Sequence, residues 1–578
     1  MDSPTLFDLP AADAPSPKAK RGRPTSKAPK PADVANLTLD LATIAPPPGP
    51  LTVPQLETWL WAAACAIRGA TDAPKYKDFI LPLVFFKRLD DVYHDELRQK
   101  ADEFGGAELA REVVQADHAA ALKEGRPPIV RFVVPETYGW HAVRNFTPDT
   151  EQEGHRTLGE FLTTCLREVS RLNPDLHGVL DVKDFAETQA GQRTLDDERL
   201  ATLVEVISRH RLGLQDTAPD VLGQAYEYLL RKFAEGQGQS AGEFYTPAEV
   251  GLLLAELLEV PARATVYDPT CGSGGLLIKA RLSFERRNAA RRAEGPQLFG
   301  QELNPVTYAI ARMNMLLHDF TGARIVTGDT MRRPGFGAAG AGLMQFDRVV
   351  ANPMWNQKNF PDSLFETDSW GRFPHGAPPS ASADWAWVQH IVASLKPGGR
   401  AAVVLDTGAV SRGSGSGGSS RERDVRKALV DEDLVEAVVL LPENLFYNTT
   451  APGIVLLLRK DKPQERREQV LLLNASQHFV KRKPKNELTL DGRQALAAAL
   501  TAYEDVPKLA RRLTLAEVQA ADYNLSPSQF VETGDRATHR SLVLIRQELQ
   551  AAADAREAAD ARLQELLAGL NLEGGETV

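Results

Sequence analysis

ATVYDPTCGSGGLLIKA, residues 264–280, decides the fold. The turn Asp268-Pro-Thr-Cys-Gly272-Ser273-Gly274-Gly275 lies after a strand-like run and opens a helical one. Glycines let the backbone approach a ligand closely, and a helix N-terminus offers unpaired N–H donors. A dinucleotide site wants G-x-G-x-x-G at this point, and a P-loop wants Lys-Ser/Thr after its last Gly. Neither is present, so nucleotide phosphate is not the natural ligand. An acid at the strand's end instead suits an ammonium, such as the amino-acid end of S-adenosylmethionine.

On either side, from 264 to about 460, strand-like and helical runs alternate. ATVYD, QLFGQ, RIVTG, FDRVVA, RAAVVLD, LVEAVVLL and GIVLLLR read as strands, with GLLIKARLSFERRN, PVTYAIARMNMLLH and ADWAWVQHIVASLK as helices between them. This rhythm predicts an α/β domain with a doubly wound, mostly parallel sheet, and its last two strands, around 434–459, suit a hairpin at one edge. Glu302 ends the second strand, where a carboxylate accepts from both hydroxyls of a ribose. Asp329, followed by Thr330, ends the third and suits the cofactor's adenine amine. Three acids on successive strand ends beside a glycine turn predict an S-adenosylmethionine site of Asp268, Gly272, Ser273, Gly274, Gly275, Glu302, Asp329 and Thr330. Just upstream, the loop Gly242-Glu243-Phe244-Tyr245-Thr246-Pro247 offers two aromatics to wrap the methionine and adenine, with cation–π attraction for the sulfonium.

Asn352-Pro353-Met354-Trp355 follows the strand FDRVVA. The Asn side-chain carbonyl and a backbone carbonyl beside Pro accept the two hydrogens of an exocyclic amine, aiming its lone pair at a methyl donor. The amine need not be ionised first. Trp355 offers a face on which a flipped planar base stacks. On its own the segment reads equally well as a strand-to-loop turn; after the glycine motif it reads as catalytic.

The flanks bound the rest. A 578-residue chain is too long for one ordinary core, and a net charge of −10 argues against a chain that grips DNA alone. No apolar run approaches a bilayer span, the acidic Pro-rich start is wrong for a signal peptide, and three scattered cysteines form no disulfide or metal framework, which predicts a reduced, cytoplasmic protein. Residues 1–50 read as a disordered tail whose basic core, Arg21-Gly22-Arg23-Pro24, resembles an AT-hook for a narrow minor groove. A helical domain is expected over 51–215, the methyl-transfer domain over 216–478 and an extension over 479–535. The glycine-rich segment 413–420 reads as a flexible surface loop. Over 536–578, Leu542, Ile545, Leu549, Ala552, Arg556, Ala559, Leu563, Leu566 and Leu570 keep a 3-4 spacing that wants a partner helix.

Between about 53 and 532 these motifs together resemble the modification subunit of type I restriction-modification systems, an N6-adenine DNA methyltransferase. The resemblance is carried by LETWLWAAACAIRG, YKDFILPLVFFKRLDD, DVLGQAYEYLLRKFA, GEFYTPAEV, DPTCGSGG, GQELNPVTYAIARMNMLLHD, ANPMW, LPENLFYNTTAPGIVLLL, LLLNAS and YNLSPSQFV. Their order looks like the gamma class of amino-methyltransferases, and implies a Rossmann-like class I S-adenosylmethionine-dependent fold. It also implies that GEFYTP, the glycine turn, Glu302 and Asp329 line the cofactor site while the tetrad holds a flipped adenine of double-stranded DNA. The expected partners are a DNA-specificity subunit, a second modification subunit and a motor-nuclease subunit, with the heptad helix docking on the specificity subunit. Two positions depart from the family pattern: Met354 stands where Pro is usual and Trp355 where Phe or Tyr is usual. Other readings are an N6-adenine methyltransferase of a different phage-defence system, a glutamine or ribosomal RNA methyltransferase sharing the tetrad, and a DNA-binding scaffold. The long helical N-terminal part argues against the second.

Overall fold

The computed structural model describes residues 51–70, 75–147 without 127, 157–217 without 190 and 191, four positions between 218 and 245, 246–533 without 321, 339, 359, 419, 447, 448 and 484, and 542–569. The tail with Arg21–Pro24, and Glu243, Phe244 and Tyr245, lie outside the described residues.

Residues 51–217 form helices around one core. The longer ones are α1 (Val53–Ala66), α2 (Tyr76–Phe104), α3 (Ala107–Glu124), α4 (Leu158–Leu172) and α5 (Asp197–Ile207). α2 starts apolar nearly all round and is buried nearly all round, from Phe79 through Val92; it stops at Gly105, whose φ of 80° suits glycine. Arg88, buried on α2, donates to the carbonyls of Leu212 and Gly213 and to Thr217, fastening the segment that leads out of this domain.

The second core surrounds a nine-stranded sheet. Its strands in chain order are β1 (Thr265–Asp268), β2 (Gln297–Glu302), β3 (Arg324–Thr327), β4 (Phe346–Ala351), β5 (Leu395–Asp406), β6 (Val435–Leu440), β7 (Gly453–Arg459), β8 (Gln469–Asn474) and, last, Ala510–Thr514. Between β8 and that last strand a two-stranded hairpin stands apart, β9 (Phe479–Val480) with β10 (Glu487–Leu488), so Ala510–Thr514 is β11. The sheet order is β11-β8-β6-β7-β5-β4-β1-β2-β3. β7 is antiparallel to β6 and β5, β11 is antiparallel to β8, and the other pairs are parallel. Helices α6 (Ala248–Leu258), α7 (Gly275–Arg287), α8 (Pro305–Leu317), α9 (Asp384–Ala393), α10 (Arg421–Asp431) and α11 (Leu490–Ala502) cover the two faces. The fold is thus a doubly wound α/β domain with a helical domain ahead of it.

Two expectations are corrected. The β6–β7 pair is antiparallel but lies inside the sheet, because β8 and β11 are added beyond it; LLLNAS is buried on both faces and needs those neighbours. The 413–420 segment is at the surface, exposed over 415–418, as expected, but its start is held: the buried Arg426 donates to Ser414 and to the Arg412 carbonyl, and Asp522 accepts from the Gly415 N–H. Helix α12 (Leu542–Gly569) is exposed at every position from 543 to 568. No described helix is long and apolar enough to cross a membrane.

α8 joins the domains. Ala309, Ile310, Met313, Leu316 and Leu317 belong to the helical core, while Ala311 and Met315 belong to the sheet core.

Candidate active site

Parallel strands end at one edge, and the order reverses between β1 and β4, which opens a crevice at their carboxyl ends. A cavity of about 530 Å³ fills it. Its wall brings together Thr246, Asp268, the glycine turn, Glu302, Asp329, Thr330, Asn352 and Met354. Residue 352 and the turn at 272–275, separated by about 80 positions in sequence, therefore face one space.

The turn is held from α8. Gly274 has φ 81°, a backbone conformation that favours glycine, and lies against the Met315 methyl, 2.6 Å from where a Cβ would stand. Asn314 donates to the Ser273 carbonyl at 2.9 Å. Asp268 is buried; one oxygen accepts from the Thr270 N–H at 2.9 Å, and the other has no hydrogen-bond partner among the described residues. Burial, with Glu302 nearby, pushes its carboxyl up to about 8. A buried carboxyl with one unpaired oxygen suits a ligand that brings N–H donors and positive charge. Glu302 is oriented by two backbone donors, Gly272 at 3.0 Å and Asn304 at 2.8 Å.

Asp329 also faces the cavity, but one oxygen caps the N–H groups of Met331 and Arg332 and the other pairs with Arg332 at 2.6 Å. Thr330 donates to the Pro269 carbonyl at 2.7 Å, which ties the ends of β3 and β1 together. Pro247 caps α6, and Thr246 ahead of it reaches the tetrad.

The tetrad is more constrained than its sequence suggests. Asn352 donates to Thr246 Oγ1 at 2.8 Å, and its carbonyl oxygen accepts from Trp355 Nε1 at 3.1 Å. Indole N–H is donor only, so this bond decides which end of the carboxamide is oxygen. Pro353 is buried. The Trp355 ring stands edge-on to Phe446 at 4.8 Å, and a Cβ on Gly453 would meet it at 2.9 Å. Phe446, in the loop between β6 and β7, and Gly453, which opens β7, thus pack against the ring.

Cavity residues that sequence reasoning missed include Lys279, Asn304 and Gln357. Lys279 lies one helical turn past Gly275 on α7, and its stem crosses Gly251 where a Cβ would meet Cδ at 2.6 Å. The i, i+4 spacing was available as a signal; the vacancy at Gly251 was not.

Comparison with known proteins agrees with this geometry. The model for the N-6 DNA methylase family matches residues 217–539, and that for the HsdM N-terminal domain matches 56–207. The chain is 32% identical over 477 residues to the type I restriction enzyme MjaVIII methylase subunit of Methanocaldococcus jannaschii, covering 79% of this chain and 75% of the relative. It is 32% identical over 328 residues to the HindI methylase subunit of Haemophilus influenzae, covering 55% and 70%. The crystal structure of a type I restriction-modification methyltransferase subunit from Streptococcus thermophilus superposes with a TM-score of 0.66 at 27% identity, over 83% of this chain and all of that one. The glycine turn with Asn352 and Met354 on one crevice, the helical domain in front and these relatives agree: the chain belongs to the N-6 DNA methylase family, as a methylase subunit of the type I restriction-enzyme kind.

Proposed function

We infer that the chain transfers a methyl group from S-adenosylmethionine to the N6 of a flipped adenine in double-stranded DNA, as the modification subunit of a type I complex. One observation carries this reading: a single cavity has the glycine turn and the strand-end acids on its wall together with Asn352 and Met354. The bound donor supplies an electrophilic sulfonium methyl. Asp268 takes its ammonium on the unpaired oxygen, Glu302 accepts from its ribose hydroxyls, and Asp329 and Thr330 edge the adenine. Asn352 Oδ1, held by Trp355, keeps a second lone pair for the amine of the target base. The Pro353 carbonyl would take the other hydrogen, so the nitrogen lone pair would point at the methyl group; the C–N bond forms as the sulfonium C–S bond breaks, the neutral thioether is the leaving group, and one amine proton is lost to solvent during or after transfer. Methylation-sensitive sequencing of the host genome with the gene present and deleted tests the function. N6-methyladenine at one sequence context, lost on deletion, is expected; an unchanged methylome overturns it.

The relatives are named as subunits of restriction enzymes, which supports assembly with a DNA-specificity subunit, a second copy of this chain and a motor-nuclease subunit. The exposed apolar side chains of α12, among them Leu549, Leu563 and Leu566, support its docking on the specificity subunit.

Asp268 makes donor binding proton-linked. A group near 8 is largely protonated at pH 6.5, and an ammonium beside it favours the ionised form, so binding releases a proton. Affinity for S-adenosylmethionine is therefore expected to rise with pH from 6 towards about 8, and calorimetry in buffers of different ionisation enthalpy should register proton release. Asp268→Asn should flatten the profile; a flat profile in the unaltered chain contradicts this role.

Trp355→Phe keeps a ring between Phe446 and Gly453 but removes the donor to Asn352. Losing one hydrogen bond of about 0.5–1.5 kcal/mol should lower kcat roughly two- to tenfold with donor affinity unchanged. An unaltered kcat in single-turnover methyl transfer would show that the indole N–H does not position the carboxamide.

A further inference from the structure

The chain carries a net charge of −10, yet a protein that flips a base out of a duplex needs cations for the phosphates near that base. β8 is parallel to β6, and β6 is related through the antiparallel β7 to β5 and β4, so β8 ends at the same edge as the glycine turn and the tetrad. Hairpin β9–β10 follows directly from that end, with Phe479 opposite Leu488 and Val480 opposite Glu487. Its tip reads Lys481-Arg482-Lys483-Pro484-Lys485.

The hairpin is anchored to the loop that clamps the tetrad. Lys485 donates to Asn444 Oδ1 at 3.1 Å and to the Thr449 carbonyl at 3.0 Å, while Asn486 donates to the Glu443 and Asn444 carbonyls. That loop holds Phe446, which packs on Trp355. Two residues before Lys485, the backbone of Lys483 lies within roughly 7 Å of it, the limit of an extended chain. Lys481, Arg482 and Lys483 are exposed, and Arg482 pairs with Glu487 at 2.6 Å. Four cations thus stand in this short stretch, with Glu487 pairing Arg482 and Glu249 of α6 accepting from the Leu488 N–H, in an otherwise acidic chain.

We propose that the tip of this hairpin, through Lys481 and Lys483, binds the DNA phosphates flanking the flipped adenine. The proposal rests on the functional reading above and adds a DNA-contacting surface to it. Lysines serve as point charges for phosphate, so the contact is independent of base sequence and gives affinity, leaving site choice to a partner.

The test uses the full chain with the subunits that co-purify with it, and a fluorescent duplex carrying a site that the chain methylates. Binding is titrated across a salt series for the unaltered protein, for Lys481→Ala with Lys483→Ala, and for Arg291→Ala with Arg292→Ala. The last pair removes the same charge from an exposed turn leading into the opposite end of β2. Affinity for S-adenosylmethionine without DNA checks that each variant is folded. The slope of log affinity against log salt is expected to fall by about one per lysine in the hairpin variant alone, with DNA affinity weakened about tenfold at moderate salt. An unchanged slope, or an equal change in the arginine variant, overturns the proposal. Should the unaltered protein transfer no methyl group to DNA, the functional reading fails instead.

Discussion

Asn352→Ala is expected to abolish methyl transfer while leaving donor affinity within about twofold. The carboxamide is the one side chain of the tetrad that both faces the cavity and has an oxygen fixed for an incoming amine. Without it the target nitrogen keeps its lone pair delocalised into the ring and presents no directed nucleophile. Removing a single preorganised polar group of this kind costs on the order of 10²–10³ in kcat, and here the group also orients the reacting atom, so the loss should be at least that large. The groups proposed to hold the donor are Asp268, the turn and Glu302, and the hydrogen bonds of Asn352 run instead to Thr246 and Trp355. Tritium transfer to duplex DNA, alongside calorimetric titration with S-adenosylmethionine, separates the two effects. Lost donor binding would mean that Asn352 holds the cofactor side of the cavity and not the base.

The second large effect belongs to Glu302. Its carboxylate is aimed by the N–H groups of Gly272 and Asn304, and its position at the end of β2 suits both hydroxyls of a ribose. Hydrogen bonds to a charged group contribute about 1.5–3 kcal/mol each, so losing two should make Glu302→Ala bind the donor roughly 100-fold more weakly or worse. It should also free the Gly272 N–H and loosen the turn. Glu302→Gln keeps the shape but replaces one acceptor by a donor, and should fall between. Equal affinity for S-adenosylmethionine in all three proteins would remove Glu302 from the site.

Sequence reading reached the sheet from β1 to β7 because each strand is a short apolar run closed by a turn signal, and helices with clear spacing lie between them. It stopped at β8 and β11. ARRLT in β11 carries two arginines and has no strand alternation of its own, and its place is set by pairing with the wholly apolar β8. The placement of Asp268, Glu302 and Asn352 on one cavity was legible for a similar reason: each sits at a strand end beside a recognisable turn. What touches them was not. The Thr246 hydroxyl lies 106 residues from Asn352 and Phe446 lies 91 residues from Trp355, contacts that exist only once the sheet is folded. Trp355 shows the limit most clearly. Its residue type suggested an open stacking face, whereas its indole is edge-on to Phe446 and bonded to Asn352, a role that depends on which way the ring turns.

The central claim is that the methyl donor and the carboxamide of Asn352 meet in one space. A crystal structure of the chain with S-adenosylmethionine bound measures it directly. A reacting amine sits about 3–3.5 Å from the methyl carbon and about 3 Å from its acceptor, so the account puts that carbon within roughly 6 Å of Asn352 Oδ1, with the ammonium on Asp268 and the ribose on Glu302. A donor seated on the glycine turn with its methyl group directed away from residue 352, or seated elsewhere on the chain, would contradict it.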